Sequence, residues 1–181
     1  PRSCTNRIPH GGTSPVMTKR LILIRHAKSS WDAPFDDHSR TLNNRGRTSA
    51  TALGSYLKMR SDCPDAIYCS DAARTIETTE CIVAAMGTTP TIHHLNRMYN
   101  ASPAALWNVL RKAEGDVVAL VAHNPGIAFF AEDVVDKAPD HPRFMDYPTC
   151  ATLVCDFPTN DWAEAVSHSG QVVDFVVPKD L

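Results

Sequence analysis

The 181-residue sequence predicts an α/β fold: a three-layer αβα sandwich whose central sheet is mostly parallel, with an antiparallel strand at one edge. Three observations predict it. From residue 19 onward, short β-rich apolar runs alternate with segments of helical periodicity, the pattern of strand–helix–strand crossovers. The clearest runs are apolar without a break, as strands covered on both faces require. The last two runs, 149–157 and 171–177, follow each other with no helical segment between, which suggests an antiparallel pair near one edge.

Each element carries its own signal. "RLILI" (20–24) is the first strand. Residues 44–60 place Ala50, Leu53 and Leu57 at helical spacing. "DAIYC" (65–69) is the second strand, and Ser70 offers an N-cap for a helix through "ARTIETTECIVAAM", which Gly87 closes. A third strand is expected over 91–95. Ser102-Pro103 opens another helix, with proline at its first position. "DVVALVA" (116–122) is the next buried strand, and Asn124-Pro125 reads as an N-cap and N1 proline for a helix over 125–135. The first 16 residues are rich in Pro, Gly, Ser and Thr and lack the apolar core of a signal peptide. Residues 1–18 are therefore expected to be a disordered extension, and 19–181 a single domain.

Composition narrows the function. The formal charge is −2 and no dense Lys/Arg run occurs, which disfavours general nucleic-acid and membrane-surface binding. No apolar stretch approaches the roughly 20 residues a bilayer span needs. The six cysteines form no C-x-x-C pair and read as reduced thiols of a cytoplasmic protein.

In open α/β sheets, ligands bind beyond the carboxyl ends of the strands. Three such ends carry chemistry: Arg25-His26, Ser70 with Arg74 one helical turn later, and His123-Asn124-Pro125-Gly126. Parallel strands would bring two arginines and two histidines to one rim. Guanidiniums suit a phosphoryl group through planar, bidentate donors and permanent charge. A helix N-terminus at Asn124–Gly126 would add backbone N–H groups. A neutral imidazole can attack phosphorus directly to give a phosphoenzyme, with the cations balancing the equatorial oxygens. This arrangement calls for no metal and no cofactor, and the sequence offers no metal-binding carboxylate cluster. A cysteine phosphatase would need C-x5-R, whereas Cys69 and Arg74 stand in C-x4-R without a glycine. A metal site at His93-His94 is disfavoured because neighbours in a strand point to opposite faces.

Four ordered segments carry a family resemblance. "LILIRHAKSSW" resembles the R-H-G signature of the histidine phosphatase superfamily, with Ala27 in the usual glycine position. "SRTLNNRGRTSA" (39–50), "CSDAARTIETTE" (69–80) and "VAHNPG" (121–126) are similar to its R-x-L-x-x-x-G, S-x-x-x-R and second-histidine segments. The short chain and the form "RHAKSSW" resemble the small SixA-type phosphohistidine phosphatases. The resemblance implies a phosphoglycerate mutase-like fold, with His26 as nucleophile and Arg25, Arg74 and His123 completing the phosphate pocket. Asn124, Lys28 and Ser29 are further candidates for phosphate or substrate binding, and Trp31 for the rim. Many relatives carry a glutamate general acid shortly after the third strand, but "HLNRMYNAS" (94–102) holds no carboxylate. An alkoxide leaving group needs a proton. Phosphohistidine needs one less, because imidazole, with a pKa of about 6.5, can be protonated on its distal nitrogen and leave neutral. The expected function is thus a metal-independent phosphatase acting on phosphohistidine in a protein, unless Asp32, Asp36 or Asp37 serves as acid. The alternatives are a small-molecule phosphomonoesterase and a non-catalytic phosphate-binding module.

Overall fold

The computed structural model describes residues 17–31 and 36–181, so all but the last two residues of the expected extension, and Asp32, lie outside the described residues. In chain order the strands are β1 (Lys19–Arg25), β2 (Ala66–Cys69), β3 (Thr91–His94), β4 (Val117–Ala122), β5 (Thr152–Phe157) and β6 (Gln171–Val176). The helices are α1 (Asn44–Met59), α2 (Ala73–Met86), α3 (Pro103–Leu110) and α4 (Gly126–Val134). The six strands form one sheet in the order β3-β2-β4-β1-β5-β6. β1 to β4 run parallel, and β5 runs against both β1 and β6. The antiparallel strand therefore sits one place in from the edge.

The unbroken apolar run of β1 has a simple cause. Leu21 and Leu23 enter the core built with α3 and α4, while Ile22 and Ile24 enter the one built with α1 and α2. Alternation still operates, but both faces are buried. β4 repeats the scheme, with Val118, Leu120 and Ala122 on the first side and Ala119 and Val121 on the second. Each fully buried Leu or Ile side chain contributes about 1.5–3 kcal/mol relative to an exposed one.

Two helix starts differ from the sequence expectation, for one physical reason. α2 is preceded by Ala72 at the N-cap, not Ser70, and α4 begins at Gly126 with Pro125 at the N-cap. Both polar candidates have partners elsewhere. Ser70 Oγ lies 2.8 Å from His123 Nε2, and the Asn124 amide donates to the carbonyls of Asp146 and Tyr147 at 3.2 Å. Ser102 does cap α3, accepting from Ala105 N–H. Gly126 packs directly on the carbonyl of Ala101, where any Cβ would collide, and so seats α4 against the loop after β3.

Candidate active site

The parallel strands deliver His26, Arg74 and His123 to one pocket of about 730 Å³, which Arg25, Lys28, Ser29, Trp31 and Asn124 also line. His26 follows β1 directly, its N–H donating to the Ala122 carbonyl at 3.1 Å. Its ring lies 5.1 Å, centroid to centroid, from that of His123, which follows the neighbouring strand β4. Both rings are buried, as is Arg74 in the first turn of α2. Burial, reinforced by Arg74, Arg25 and Arg40, pushes His26 down to about 4 against the hydrogen bond of its Nδ1 to the Ala27 carbonyl. Burial together with His26 and Arg74 pushes His123 down to about 3. Both imidazoles are neutral at pH 7.

Of the two cations, Arg74 is paired with a carboxylate and Arg25 is not. Arg25 donates one N–H to the Tyr147 carbonyl at 2.9 Å, and its backbone is tied to Ala151 and Cys150. Arg74 donates to the Asp37 carbonyl at 2.5 Å and to Asp37 Oδ2 at 3.0 Å. Among the described residues, Arg25 Nε, Arg74 Nε and His123 Nδ1 are buried without a hydrogen-bond partner. Buried polar atoms are rarely left so. With Arg40 Nε and Nη1 they make five such nitrogens on residues lining one pocket, beside one unpartnered acceptor, Asn124 Oδ1, and mark a place that an anion with several acceptor oxygens would satisfy. The expected contribution of the α4 N-terminus is not found: Ile127 N–H is spent on the His123 carbonyl, and Gly126 does not line the pocket.

The sequence marks Asp37 only as a possible acid and gives Arg40 and Tyr99 no role. Asp37 accepts from Tyr99 OH at 2.6 Å and pairs with Arg74 and, through Oδ1, with Arg40 at 2.9 Å. The Arg40 guanidinium lies 3.6 Å from the centroid of the Trp31 ring, which is 78% exposed at the mouth. The Tyr99 ring meets His123 edge-on at 5.4 Å. Arg143 and Asp146 complete the far wall.

Residues 21–97 match the model of the histidine phosphatase superfamily, branch 1. A crystal structure from Agrobacterium tumefaciens, assigned as the phosphohistidine phosphatase SixA, shares 28% identity over 88% of this chain and 98% of that one, with a TM-score of 0.72. Together these matches support the histidine phosphatase superfamily as the family of this chain. Its fold is phosphoglycerate mutase-like, and within the superfamily it is SixA-like. It is also 27% identical to an uncharacterised chloroplastic protein of Arabidopsis thaliana, over 87% of this chain and 75% of that one. The same identity links it to an uncharacterised protein of Mycobacterium tuberculosis, over 86% of this chain and all of the other.

Two departures of this histidine phosphatase from the superfamily pattern have structural answers. Ala27, at the usual glycine position, tucks its methyl into the apolar core beneath α1 and α2, and its N–H donates to Thr78 Oγ1 at 3.0 Å. The methyl therefore points into the core. Near the place of the absent glutamate stands Asp37, whose carboxyl Tyr99, Arg74 and Arg40 hold below the usual range. Asp36 is exposed and bonded to Ser39. Among the described residues no group of three His, Cys, Asp or Glu side chains is placed to hold a metal ion, and no helix is long and apolar enough to cross a membrane.

Proposed function

We propose that this histidine phosphatase removes the phosphoryl group from phosphohistidine in a protein, through a phosphoenzyme at His26 and without a metal ion. The observation that carries the proposal is a neutral imidazole among unpartnered cationic and imidazole donors, with the nearby carboxylate held as an anion. His26 Nδ1–H donates to the Ala27 carbonyl, which leaves the lone pair on Nε2. Nε2 attacks phosphorus as the bond from phosphorus to the substrate's imidazole breaks. The leaving ring keeps a proton on its distal nitrogen and departs neutral. Arg25 and Arg74 bind the equatorial oxygens, and their charge stands in for a metal. If Ser70 donates to His123 Nε2, the His123 proton sits on Nδ1, where it serves a third oxygen. Water then attacks phosphorus, the bond to His26 Nε2 breaks, and inorganic phosphate leaves while His26 retains its Nδ1 proton.

The rim fits a protein substrate. The pocket is open, and Lys28 and Trp31 are exposed at its edge. Asn124, its amide committed to the loop carbonyls, positions the far wall. Cys69, Cys150 and Cys155 are buried and unpaired, which fits a reducing compartment such as the cytoplasm. The test compares kcat/KM for a phosphohistidine peptide, p-nitrophenyl phosphate and a sugar phosphate. The phosphohistidine peptide should be preferred by at least about tenfold. Preference for the sugar phosphate would overturn the substrate assignment.

A further inference from the structure

A second groove, of about 190 Å³, lies beside the catalytic pocket. Lys28, Arg143, Pro148 and Thr149 line both cavities, so the two adjoin. Beyond them the groove is walled by Arg45, Ser49 and Lys179 over an apolar floor at Val177. Four lining residues are cations and none is acidic, in a chain whose net charge is −2. Composition does not account for that cluster.

The groove is assembled from distant segments that are each held in place. Arg45 and Ser49 stand four residues apart, one above the other on the same face of α1. The carbonyl of Lys28 accepts from Asn43 N–H at 3.0 Å, and Gly46 packs on that carbonyl so closely that no side chain would fit. Asp180 holds the turn carrying Lys179, accepting from Val177 N–H at 2.8 Å. Arg143 pairs with Asp146 at 3.0 Å. Lys28, Arg45 and Lys179 have no carboxylate partner among the described residues, which leaves three like charges facing a cavity. Unmatched charge beside a low-dielectric floor attracts an anion.

We propose that this groove docks an acidic stretch of the substrate protein that flanks its phosphohistidine. The proposal rests on the phosphohistidine-protein reading above. A mobile peptide is favoured over a second phosphate. The free cations are exposed and two are lysines, point charges that suit several dispersed carboxylates better than one tetrahedral group. The apolar floor suits the stems between such carboxylates.

The experiment uses the full chain with phosphohistidine peptides of one core sequence, flanked on either side by Asp/Glu or by Ser/Gln, and with phosphoramidate as the small donor. An acidic flank should lower KM by roughly three- to tenfold at low ionic strength, and the advantage should fade by about 0.5 M salt. The double variant R45E/K179E, at two residues that do not line the phosphate pocket, should abolish the preference and leave phosphoramidate turnover unchanged. Equal hydrolysis of acidic and neutral peptides would overturn the docking proposal and leave the phosphohistidine reading intact. An equal fall in phosphoramidate turnover in the double variant would also overturn it, since the charges would then act through the catalytic pocket. Failure of every phosphohistidine peptide, with phosphate esters still cleaved, would overturn both.

Discussion

β1 carries an arginine near each end, and their surroundings are opposite. Arg20 is saturated: it makes two hydrogen bonds to Asp156, at 2.7 and 2.8 Å, and one to the fully buried Asp62. Arg25, five residues on, has a backbone carbonyl as partner and a buried Nε with none. The bonds from Asp156 lead the carboxylate contacts that raise Arg20 above its ordinary pKa, while burial lowers Arg25. The difference separates structure from function on one strand. Carboxylates close the charge at the amino end of the sheet, and unmatched donors are kept at the carboxyl end for an incoming anion.

Substitutions at the two ends should therefore fail in different assays. His26→Ala should lower turnover by on the order of 10⁴-fold or more, and Arg25→Ala or Arg74→Ala by about 10²–10³-fold. All three should still unfold cooperatively near the wild-type midpoint in urea. Arg20→Ala should do the reverse, costing about 2–4 kcal/mol in the same melt because buried Asp62 loses a partner, with kcat of the folded enzyme unchanged. A large kcat loss in Arg20→Ala would break the division between the two ends.

The carboxyl-end half of that division is legible in the sequence, because strand ends are local signals, whereas the Arg20 contacts with Asp62 and Asp156 span 42 and 136 residues. Arg25, His26, Arg74 and His123 stand at predictable distances from apolar runs, and a parallel sheet can gather them only at its carboxyl edge. Asp37, Arg40 and Tyr99 were not legible, since their roles depend on contacts between loops remote in sequence. Tyr99 and Asp37 are 62 residues apart. The two misplaced caps have the same origin. Ser70 and Asn124 have the right chemistry for an N-cap, but partners 53 and 22 residues away take their side chains.

The buried imidazoles sharpen the comparison through pH. Their folded-state pKa values, about 4 and about 3, lie below the ordinary 6.5, so between these limits the unfolded chain binds more protons than the native one. Stability should be fully present above about pH 6.5 and fall by a few kcal/mol as the pH drops toward 4. Urea melts across that range check it, and His123→Gln should flatten the slope. Asp37→Asn should have the smallest effect, roughly tenfold or less on kcat/KM, by loosening Arg74. Its pH–rate profile should keep the wild-type basic limb, because Asp37 orients the arginine and carries no catalytic proton. Loss of that limb would make Asp37 the acid.

The central claim is that His26 carries the phosphoryl group during turnover. Rapid acid-free quenching with a phosphohistidine donor, followed by peptide mapping in alkaline solution, tests it most directly. The account predicts one phosphorylated peptide containing residues 25 and 26, labile in acid, stable in base and missing from His26→Ala. A label that survives His26→Ala, or that resists acid as an ester would, contradicts it.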